Sequence, residues 1–174
     1  MPFIFPPILL AVIAILFGVS GAGKTTLGQM LADELGWKFY EGDDFHPRAN
    51  TDKMRAGEPL TDNDRQPWLE TLRGLIEQCL AAKRNAVLAC SALKKSYRDC
   101  LRVNEEVKFV YLRGDYELVS SQLKRRRGHF MNPELLQSQF ATLEEPEAGE
   151  GACPIELGRS PRELADEIKK KLRL

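Results

Sequence analysis

A glycine-rich stretch near the N-terminus carries the clearest chemistry in this sequence. The segment from Gly18 to Thr25 is GVSGAGKT and matches the pattern G-x-x-x-x-G-K-[ST]. Its glycines let consecutive N–H groups turn inward around an anion, and the positive end of a following helix points at the same place. In this pattern Lys24 reaches the β- and γ-phosphates of a nucleotide, and the Thr25 hydroxyl binds Mg²⁺. We therefore predict a phosphate-binding loop, here called the P-loop, made by Gly18, Val19, Ser20, Gly21, Ala22, Gly23, Lys24, Thr25 and Thr26.

The sequence on either side of the P-loop predicts the elements that would position it. The preceding AVIAILFG is typical of a buried strand near residues 11–17. The following KTTLGQMLADELG has apolar residues at helical spacing and a stop signal at Gly36. Strand, loop and helix occur in the required order, which favours nucleotide binding over a glycine-rich turn with only a structural role.

Further along the chain, strand patterns alternate with helix patterns. The strand patterns are GWKFYEGDD, NAVLACS, VKFVYLRG and CPIEL. Helices are predicted from Asp62 after a Thr61 N-cap, at KKSYRDCLRV, at DYELVSSQLKRRR, and after a capping box of Ser160 and Glu163. FHPRANTDKMRAGEPL is expected to be irregular, and HFMNPELLQSQFATLEEPEAGEG to be a mobile segment with a short helix inside it. The alternation predicts an α/β fold with a parallel sheet, in which ligands gather at the carboxyl ends of the strands.

Composition limits the classes of function. The chain of 174 residues suits one domain, and its 25 basic residues balance its 25 acidic residues. Balanced charge gives no reason to expect nucleic acid or an anionic membrane as a partner. The four cysteines show no C-x-x-C spacing, and no Cys/His spacing suggests zinc, so they are interpreted as reduced thiols of a cytoplasmic protein.

The N-terminus is unusual because no charged residue precedes the P-loop. Residues 1–10 form an apolar tail interrupted by Pro2, Pro6 and Pro7 and without a basic leader. The remaining apolar run is shorter than the ~20 residues of a spanning helix, and it must also supply the first strand. We expect residues 1–10 to be a tail of unknown role, with a membrane anchor as the alternative, and residues 11–174 to be a single domain.

The residues that follow the second predicted strand include a candidate catalytic acid. A phosphate acceptor with a hydroxyl group needs a carboxylate within hydrogen-bond reach to orient it and to take its proton. Asp43, in EGDDF, lies where the strand end would face the P-loop. Acids of this kind are often solvated turn residues, which is the alternative for Asp43. Ser91 and Lys94 follow the third strand and are expected at the same edge.

Four blocks of sequence together resemble the gluconokinase family, which is related to shikimate and nucleoside-monophosphate kinases. The blocks are GVSGAGKTTLG, EGDDFHPRANTDKMRAGEPLTDNDRQPWL, ACSALKKSYRDCLR and RRRGHFMNPELLQSQFATLEEP. They occur in the order of the family, and the resemblance extends from about residue 11 to residue 174, leaving residues 1–10 outside it. It implies a P-loop NTPase three-layer sandwich with a five-stranded parallel sheet in the order 2-3-1-4-5, a substrate lobe and a lid at about residues 126–148.

The resemblance also implies an activity. It predicts transfer of the ATP γ-phosphate to the 6-hydroxyl of D-gluconate with Mg²⁺, and it makes a homodimer plausible. Arg126 matches the lid arginine of the family and would close over the phosphates. An alternative for Arg126 is that it stabilises the end of a helix through the macrodipole.

A pocket for D-gluconate needs cations for the carboxylate and hydrogen-bonding groups along the chain. The candidates for the carboxylate are Lys53, Arg65, Lys94 and Arg98. The candidates for the hydroxyl groups are His46, Ser91, His129 and Gln139. The family pattern favours Asp43, together with His46, Arg65, Lys94 and His129 from this set, as substrate-binding residues.

Rival functions remain open at this point. Shikimate is also a hydroxylated carboxylate, and only the resemblance disfavours it as the acceptor. A nucleoside monophosphate would need a base slot that the sequence does not offer. A nucleotide-driven switch is formally suggested by DELG at 33–36, but that segment falls in the helix after the P-loop, and no [NT]-K-x-D guanine reader occurs.

Overall fold

A computed structural model describes residues 10–126 and 133–174 and contains one parallel sheet. The strands are β1 (Ile13–Phe17), β2 (Lys38–Glu41), β3 (Ala86–Ala89), β4 (Val107–Arg113) and β5 (Cys153–Glu156). They are arranged in the order β2-β3-β1-β4-β5, and each neighbouring pair is parallel. This confirms the predicted sheet and its order. Residues 1–9, which contain most of the apolar tail, lie outside the described part of the chain.

Helices connect the strands and cover both faces of the sheet. They are α1 (Lys24–Leu35), α2 (Arg48–Arg55), α3 (Asp62–Ala81), α4 (Lys95–Leu101), α5 (Tyr116–Arg125), α6 (Pro133–Thr142) and α7 (Pro161–Leu172), with 3₁₀ turns at Gly42–Phe45 and Ala148–Glu150. Alternate residues of β1 face two separate apolar cores. Ile13, Ile15 and Phe17 pack with α3 and α4, whereas Ala14 and Leu16 pack with α1 and α7. Burial on both faces explains the uninterrupted apolar sequence of β1 and confirms the three-layer sandwich.

The two helix starts predicted from capping residues are present. Thr61 accepts a hydrogen bond from the backbone N–H of Asp64 and forms a capping box with it. Ser160 and Glu163 form the second capping box, at the start of α7. Helix α3 continues through Pro67 and buries Trp68, Leu69, Leu72, Ile76 and Cys79.

Helix α2 was not predicted, because its segment was expected to be irregular. Its sequence, RANTDKMR, has no apolar stripe. The helix instead follows Pro47 at the N-cap and is attached to α3 through the buried side chain of Asn50, whose amide donates to the backbone oxygen of Asp64 at 2.7 Å. This contact joins residues distant in the sequence, which local periodicity does not indicate.

The structure also bears on the predicted reduced state of the cysteines and on the alternative of a membrane anchor. Cys79 and Cys90 are buried, and all four cysteines are free thiols. Burial raises the pKa of Cys90 to about 12, so this thiol stays protonated beside the P-loop. In the ranges 10–126 and 133–174, no helix is long and apolar enough to cross a membrane.

Candidate active site

The P-loop lies between β1 and α1, at the carboxyl edge of the sheet. Gly21 and Gly23 have φ angles of 83° and 92°, which favour glycine. A Cβ atom on Gly21 would lie 2.4 Å from Cγ of Leu123, so α5 also requires glycine there. The loop is joined to the end of β3, because the N–H of Gly18 donates to the backbone oxygen of Ser91 at 3.2 Å. These contacts hold the predicted phosphate-binding backbone in place.

Lys24 is the charged centre of this loop. Its ammonium donates to the backbone oxygens of Gly18 and Val19 at 3.0 and 2.9 Å. Burial lowers the pKa of Lys24, while the negative charges of Asp43 and Glu41 raise it and the charge of Arg126 lowers it. Two acids from the end of β2 and a cation from the end of α5 therefore act on the same ammonium.

Glu41, the last residue of β2, lies in the candidate site but was not among the predicted site residues. Its Oε2 accepts a hydrogen bond from the Thr25 hydroxyl at 2.5 Å. Burial raises the pKa of Glu41, and the hydrogen bond from Thr25 opposes that rise. A hydroxyl and a carboxylate are oxygen donors of the kind that Mg²⁺ prefers, so this pair fits the metal predicted at Thr25. The feature of the sequence that could have indicated Glu41 was its position at the end of a predicted strand, next to the P-loop.

Gly42 allows this acidic strand end to sit close to β3. A Cβ atom on Gly42 would lie 2.5 Å from the backbone oxygen of Ala89. Its own backbone oxygen accepts from Nε1 of the buried Trp68 at 2.8 Å. Close approach to one strand and a hydrogen bond from α3 thus fix the backbone between Glu41 and Asp43.

Asp43 presents its carboxylate to solvent in front of His46. The side chain of Asp43 is 72% exposed and that of His46 is 4% exposed, with Oδ1 and Nε2 separated by 3.9 Å. The imidazole stacks on Trp68 at 4.2 Å between ring centroids. Nδ1 lies 3.2 Å from the side-chain amide nitrogen of Asn50, which can only donate, so the ring proton is placed on Nε2, facing Asp43.

His46 therefore has a different environment from the one predicted. Burial lowers its pKa, while the charge of Asp43 raises it. An almost fully covered ring offers little surface to a substrate hydroxyl, so His46 is better placed to support Asp43 than to bind the acceptor.

Two of the predicted cations, Arg65 and Lys94, meet around Tyr97. The Lys94 ammonium and the Arg65 guanidinium lie 5.7 and 5.6 Å from the centroid of the Tyr97 ring. Arg65 also donates to the backbone oxygen of Leu60 at 2.5 Å and lies 3.4 Å from the Tyr97 hydroxyl. The carboxylate of Asp62 is bound by Lys94 and by the Tyr97 hydroxyl. These four residues are called the Tyr97 cluster below.

Arg98 has a structural role instead of the predicted substrate contact. Its guanidinium is fully buried and forms two hydrogen bonds with Glu150, at 2.8 and 3.0 Å. It also donates to the backbone oxygens of Ala92 and Leu93, each at 3.1 Å. Because its hydrogen-bonding groups are used and covered, we remove Arg98 from the candidate substrate ligands.

Lys53 and Gln139 are also engaged elsewhere. Lys53 binds both carboxylate oxygens of Asp64 at 2.9 Å, which places it at the start of α3. Gln139, on α6, accepts from the N–H of Ser20 at 2.7 Å and donates to its hydroxyl at 2.9 Å. Gln139 therefore contacts the P-loop and not the residues of the Tyr97 cluster. His129 lies outside the described residues, so its predicted contact is not placed.

A cavity of about 210 Å³ lies between the P-loop and α5. Arg126 follows the end of α5 beside this cavity, and one of its guanidinium nitrogens is 3.4 Å from the Thr26 hydroxyl. The cavity is lined by Ala22, Gly23, Thr26, Leu27, Gln122, Arg125, Arg126, Leu157, Arg159, Pro161 and Leu164. A cavity that starts at the P-loop and carries arginines is suited to the nucleoside part of a nucleotide.

The fold and this site define a P-loop kinase of small molecules. A family model for shikimate kinase matches residues 20–172. A probable gluconokinase of Rattus norvegicus is 43% identical over 180 residues, covering 92% of this chain and 97% of that protein. The chain belongs to the gluconokinase family, within the wider group described by the shikimate kinase model.

Solved structures agree with this assignment. A sugar kinase from Janibacter sp. HTCC2649 is 40% identical, with a TM-score of 0.88, and the match covers 94% of this chain and 95% of that one. A gluconokinase from Sinorhizobium meliloti 1021 is 36% identical, with a TM-score of 0.81, and the match covers 95% of this chain and 97% of that one.

Proposed function

We propose that this protein transfers the γ-phosphoryl group of ATP to the 6-hydroxyl of D-gluconate, giving 6-phospho-D-gluconate and ADP. The observation that carries this proposal is the convergence of Lys24, Glu41 and Asp43 at one edge of the sheet, in a chain whose relatives are gluconokinases. A phosphate-binding cation and an exposed carboxylate at the same place are what transfer to an alcohol requires.

The nucleotide side of the reaction uses the P-loop. Its N–H groups and Lys24 hold the phosphates, and the nucleoside occupies the cavity beside Arg126. Thr25 and Glu41 would hold Mg²⁺, which neutralises charge on the phosphates when it is bound. Arg126 supplies a further positive charge to the γ-phosphoryl group as the proposed lid, about residues 126–148, closes.

The acceptor side uses the exposed carboxylate of Asp43. It accepts a hydrogen bond from the 6-hydroxyl, orients the oxygen for in-line attack and takes its proton. His46 lies 3.9 Å from the Asp43 carboxylate and stacks on Trp68. Trp68 in turn fixes the backbone next to Asp43 through its hydrogen bond to Gly42. Arg65 and Lys94 bind the carboxylate at the other end of the sugar acid, and Ser91 and His129 remain proposed contacts to its hydroxyl groups.

Two other acceptors or functions are weaker. Shikimate is favoured only by the description of the family model, whereas the relatives that are more than 40% identical carry gluconokinase names. The DELG segment that formally suggests a switch protein ends α1, with Gly36 as its C-cap. It therefore lies at the far end of the helix from the P-loop.

The cellular setting and assembly belong to the same proposal. A kinase of a free metabolite with balanced charge and free thiols suits the cytoplasm. A homodimer is proposed from the resemblance to the family, and residues 11–174 act as one catalytic domain, with residues 1–10 as an appended tail.

An acceptor panel tests the proposed function. ADP formation is measured in a coupled assay with ATP and Mg²⁺, adding D-gluconate, other sugar acids, shikimate or AMP in turn. We expect D-gluconate to raise the rate sharply above the background hydrolysis of ATP. Stimulation by shikimate or AMP without stimulation by D-gluconate would overturn the choice of substrate, and GTP selectivity without any acceptor dependence would favour a switch.

A further inference from the structure

The Tyr97 cluster already holds a carboxylate, and it belongs to the protein itself. Both oxygens of Asp62 lie 2.9 Å from the Lys94 ammonium, and one of them accepts from the Tyr97 hydroxyl. Arg65 stands 3.4 Å from the same hydroxyl. An ammonium, a phenol and a nearby guanidinium together make a receptor for one carboxylate.

The groups that bind the carboxylate are more buried than the carboxylate itself. Tyr97 is 4% exposed, and the side chain of Lys94 is 30% exposed, whereas that of Asp62 is 61% exposed. Lys94 and Tyr97 are therefore partly covered and lie next to and on α4, while the occupying carboxylate projects from the first residue of α3 into solvent. Asp62 can leave the cluster by a side-chain rotation and be hydrated at little cost.

The electrostatics of the cluster suit an exchange of one carboxylate for another. The hydrogen bonds from Lys94 and Tyr97 lower the pKa of Asp62, so its side chain is charged at neutral pH. The bond to Asp62 raises the pKa of Lys94, so the ammonium stays charged as well. An incoming carboxylate that replaces Asp62 keeps the ion pair and the hydrogen bond from the phenol, whereas a neutral molecule that enters breaks both without replacement.

We infer that Asp62 is an internal competitor for the acceptor carboxylate, and that the need to displace it from Lys94 and Tyr97 lowers the affinity of the acceptor site for carboxylates. The inference rests on the proposed function, because it takes the acceptor to be a sugar acid. It adds Tyr97 as a ligand of the substrate carboxylate and gives Asp62 a role in affinity without contact to the substrate. A neutral polyol would have to break the contacts of Asp62 without replacing them, so it leaves Asp62 in place and binds poorly.

The test compares Asp62→Asn with the wild-type protein. Removal of the competing charge is expected to lower the KM for D-gluconate about two- to fivefold, the size of one exposed ion pair, with the KM for ATP unchanged. D-glucitol, the neutral counterpart of D-gluconate, is expected to remain a poor acceptor for both proteins. A higher or unchanged KM for D-gluconate would overturn the inference, since Asp62 would then bind the substrate or stand outside its path.

A matched control is available on α4. Asp99→Asn removes the same charge from another exposed ion pair, in which Asp99 lies 2.6 Å from the Lys95 ammonium. Because that pair lies outside the Tyr97 cluster, the KM for D-gluconate is expected to stay at the wild-type value. An equal fall in both variants would show a general effect of net charge and would also overturn the inference.

A binding measurement without ATP separates this inference from the proposed function. Thermal stabilisation by D-gluconate, shikimate, sodium lactate and D-glucitol is recorded for both proteins. Tighter binding of any of the three carboxylates to Asp62→Asn, with D-glucitol still bound more weakly than D-gluconate, supports the competitor role even if D-gluconate is not phosphorylated. Equal binding to the two proteins, or no binding of any carboxylate to either protein, overturns it.

Discussion

Asp43 differs from its neighbour Glu41 in having a carboxylate that can meet a substrate. Its side chain is 72% exposed, whereas Glu41 is held by the Thr25 hydroxyl. Both acids act on the pKa of Lys24, which places them beside the phosphate-binding cation. We therefore propose different roles for the two acids: Glu41 would hold the metal beside the phosphates, and Asp43 would contact the acceptor.

Asp43→Asn is expected to lower kcat by about 10²- to 10⁴-fold, because the amide cannot take the proton of the attacking hydroxyl. The KM for ATP is expected to change little, since the P-loop contacts are untouched. Steady-state kinetics with D-gluconate would measure both quantities. The adjacent exposed acid provides a control, and Asp44→Asn is expected to retain the wild-type kcat. An unchanged kcat for Asp43→Asn would remove Asp43 from its role as the base.

The P-loop could be found from the sequence because its chemistry lies in eight consecutive residues. The roles of Arg98 and Gln139 could not, because each depends on a partner far along the chain. Arg98 pairs with Glu150, 52 positions away, and Gln139 with Ser20, 119 positions away. A cation or an amide in the right region of sequence is compatible with a substrate contact until the competing partner is known.

Helix starts show the same division between local and distant causes. Thr61 was predicted as an N-cap and Ser160 from a capping box, because both signals lie within a few consecutive residues. Helix α2 was missed because its stabilising contacts come from α3, through Asn50 and through the pairing of Lys53 with Asp64. The second contact also explains why Lys53 is not available to the substrate.

Asp64 links the capping box of α3 to α2 and makes its stability depend on pH. It accepts hydrogen bonds from Lys53 and from Thr61, which lower its pKa from 3.8 to about 2. A carboxyl group with a lowered pKa contributes stability above its unfolded value, and that contribution is lost as pH falls through the folded value. The contribution of Asp64 is therefore complete above about pH 4 and is lost between about pH 4 and pH 2.

Asp64→Asn is expected to reduce the free energy of unfolding at pH 7, and the difference from wild type is expected to narrow as pH falls from 4 towards 2. Urea unfolding at a series of pH values would measure it. Asp52→Asn is the control, because the contacts that the described residues make with the Asp52 carboxylate are long, at 3.9 Å to Arg48 and to Arg55. A difference that stays constant down to pH 2.5 would assign the effect to shape and not to charge.

Contacts of α6 and of the segment that follows it join the P-loop to the loop between β3 and α4. Gln139 binds the P-loop at Ser20. A few residues later, the N–H of Glu144 donates to Leu93 at 2.9 Å, and the Glu144 carboxylate accepts from the N–H of Lys95 at 2.7 Å. The segment that leaves α6 is therefore fastened to the loop between β3 and α4, which carries Lys94 of the Tyr97 cluster.

The alternation of strand and helix patterns predicted the parallel sheet, and the family resemblance implied its order. The attachment of the α6 exit to the β3–α4 loop was not predicted. A buried ion pair supports the same loop: Arg98 donates to the backbone of Leu93 and pairs with Glu150, and the side chains of the pair are 0% and 5% exposed. Charged residues are ordinarily expected at the surface, so a sequence alone assigns this pair to solvent or to a ligand.

This ion pair should behave as one unit when it is mutated. Arg98→Met or Glu150→Gln leaves a buried charge without its partner, and each is expected to lower the free energy of unfolding by about 3–5 kcal/mol. The double variant removes both charges, so its loss is expected to be clearly smaller than the sum of the single losses. Urea unfolding of the four proteins completes the cycle.

Kinetic measurements distinguish support of the β3–α4 loop by Arg98 from a direct contact between Arg98 and the substrate. Because Arg98 donates to the backbone of Ala92 and Leu93, its loss is expected to disturb the position of Lys94 and to raise the KM for D-gluconate. Glu150→Gln is expected to raise that KM as well, although Glu150 has no predicted substrate role, because it weakens the same support. Additive stability losses, or a KM effect confined to Arg98, would show that the guanidinium acts on the substrate independently of Glu150.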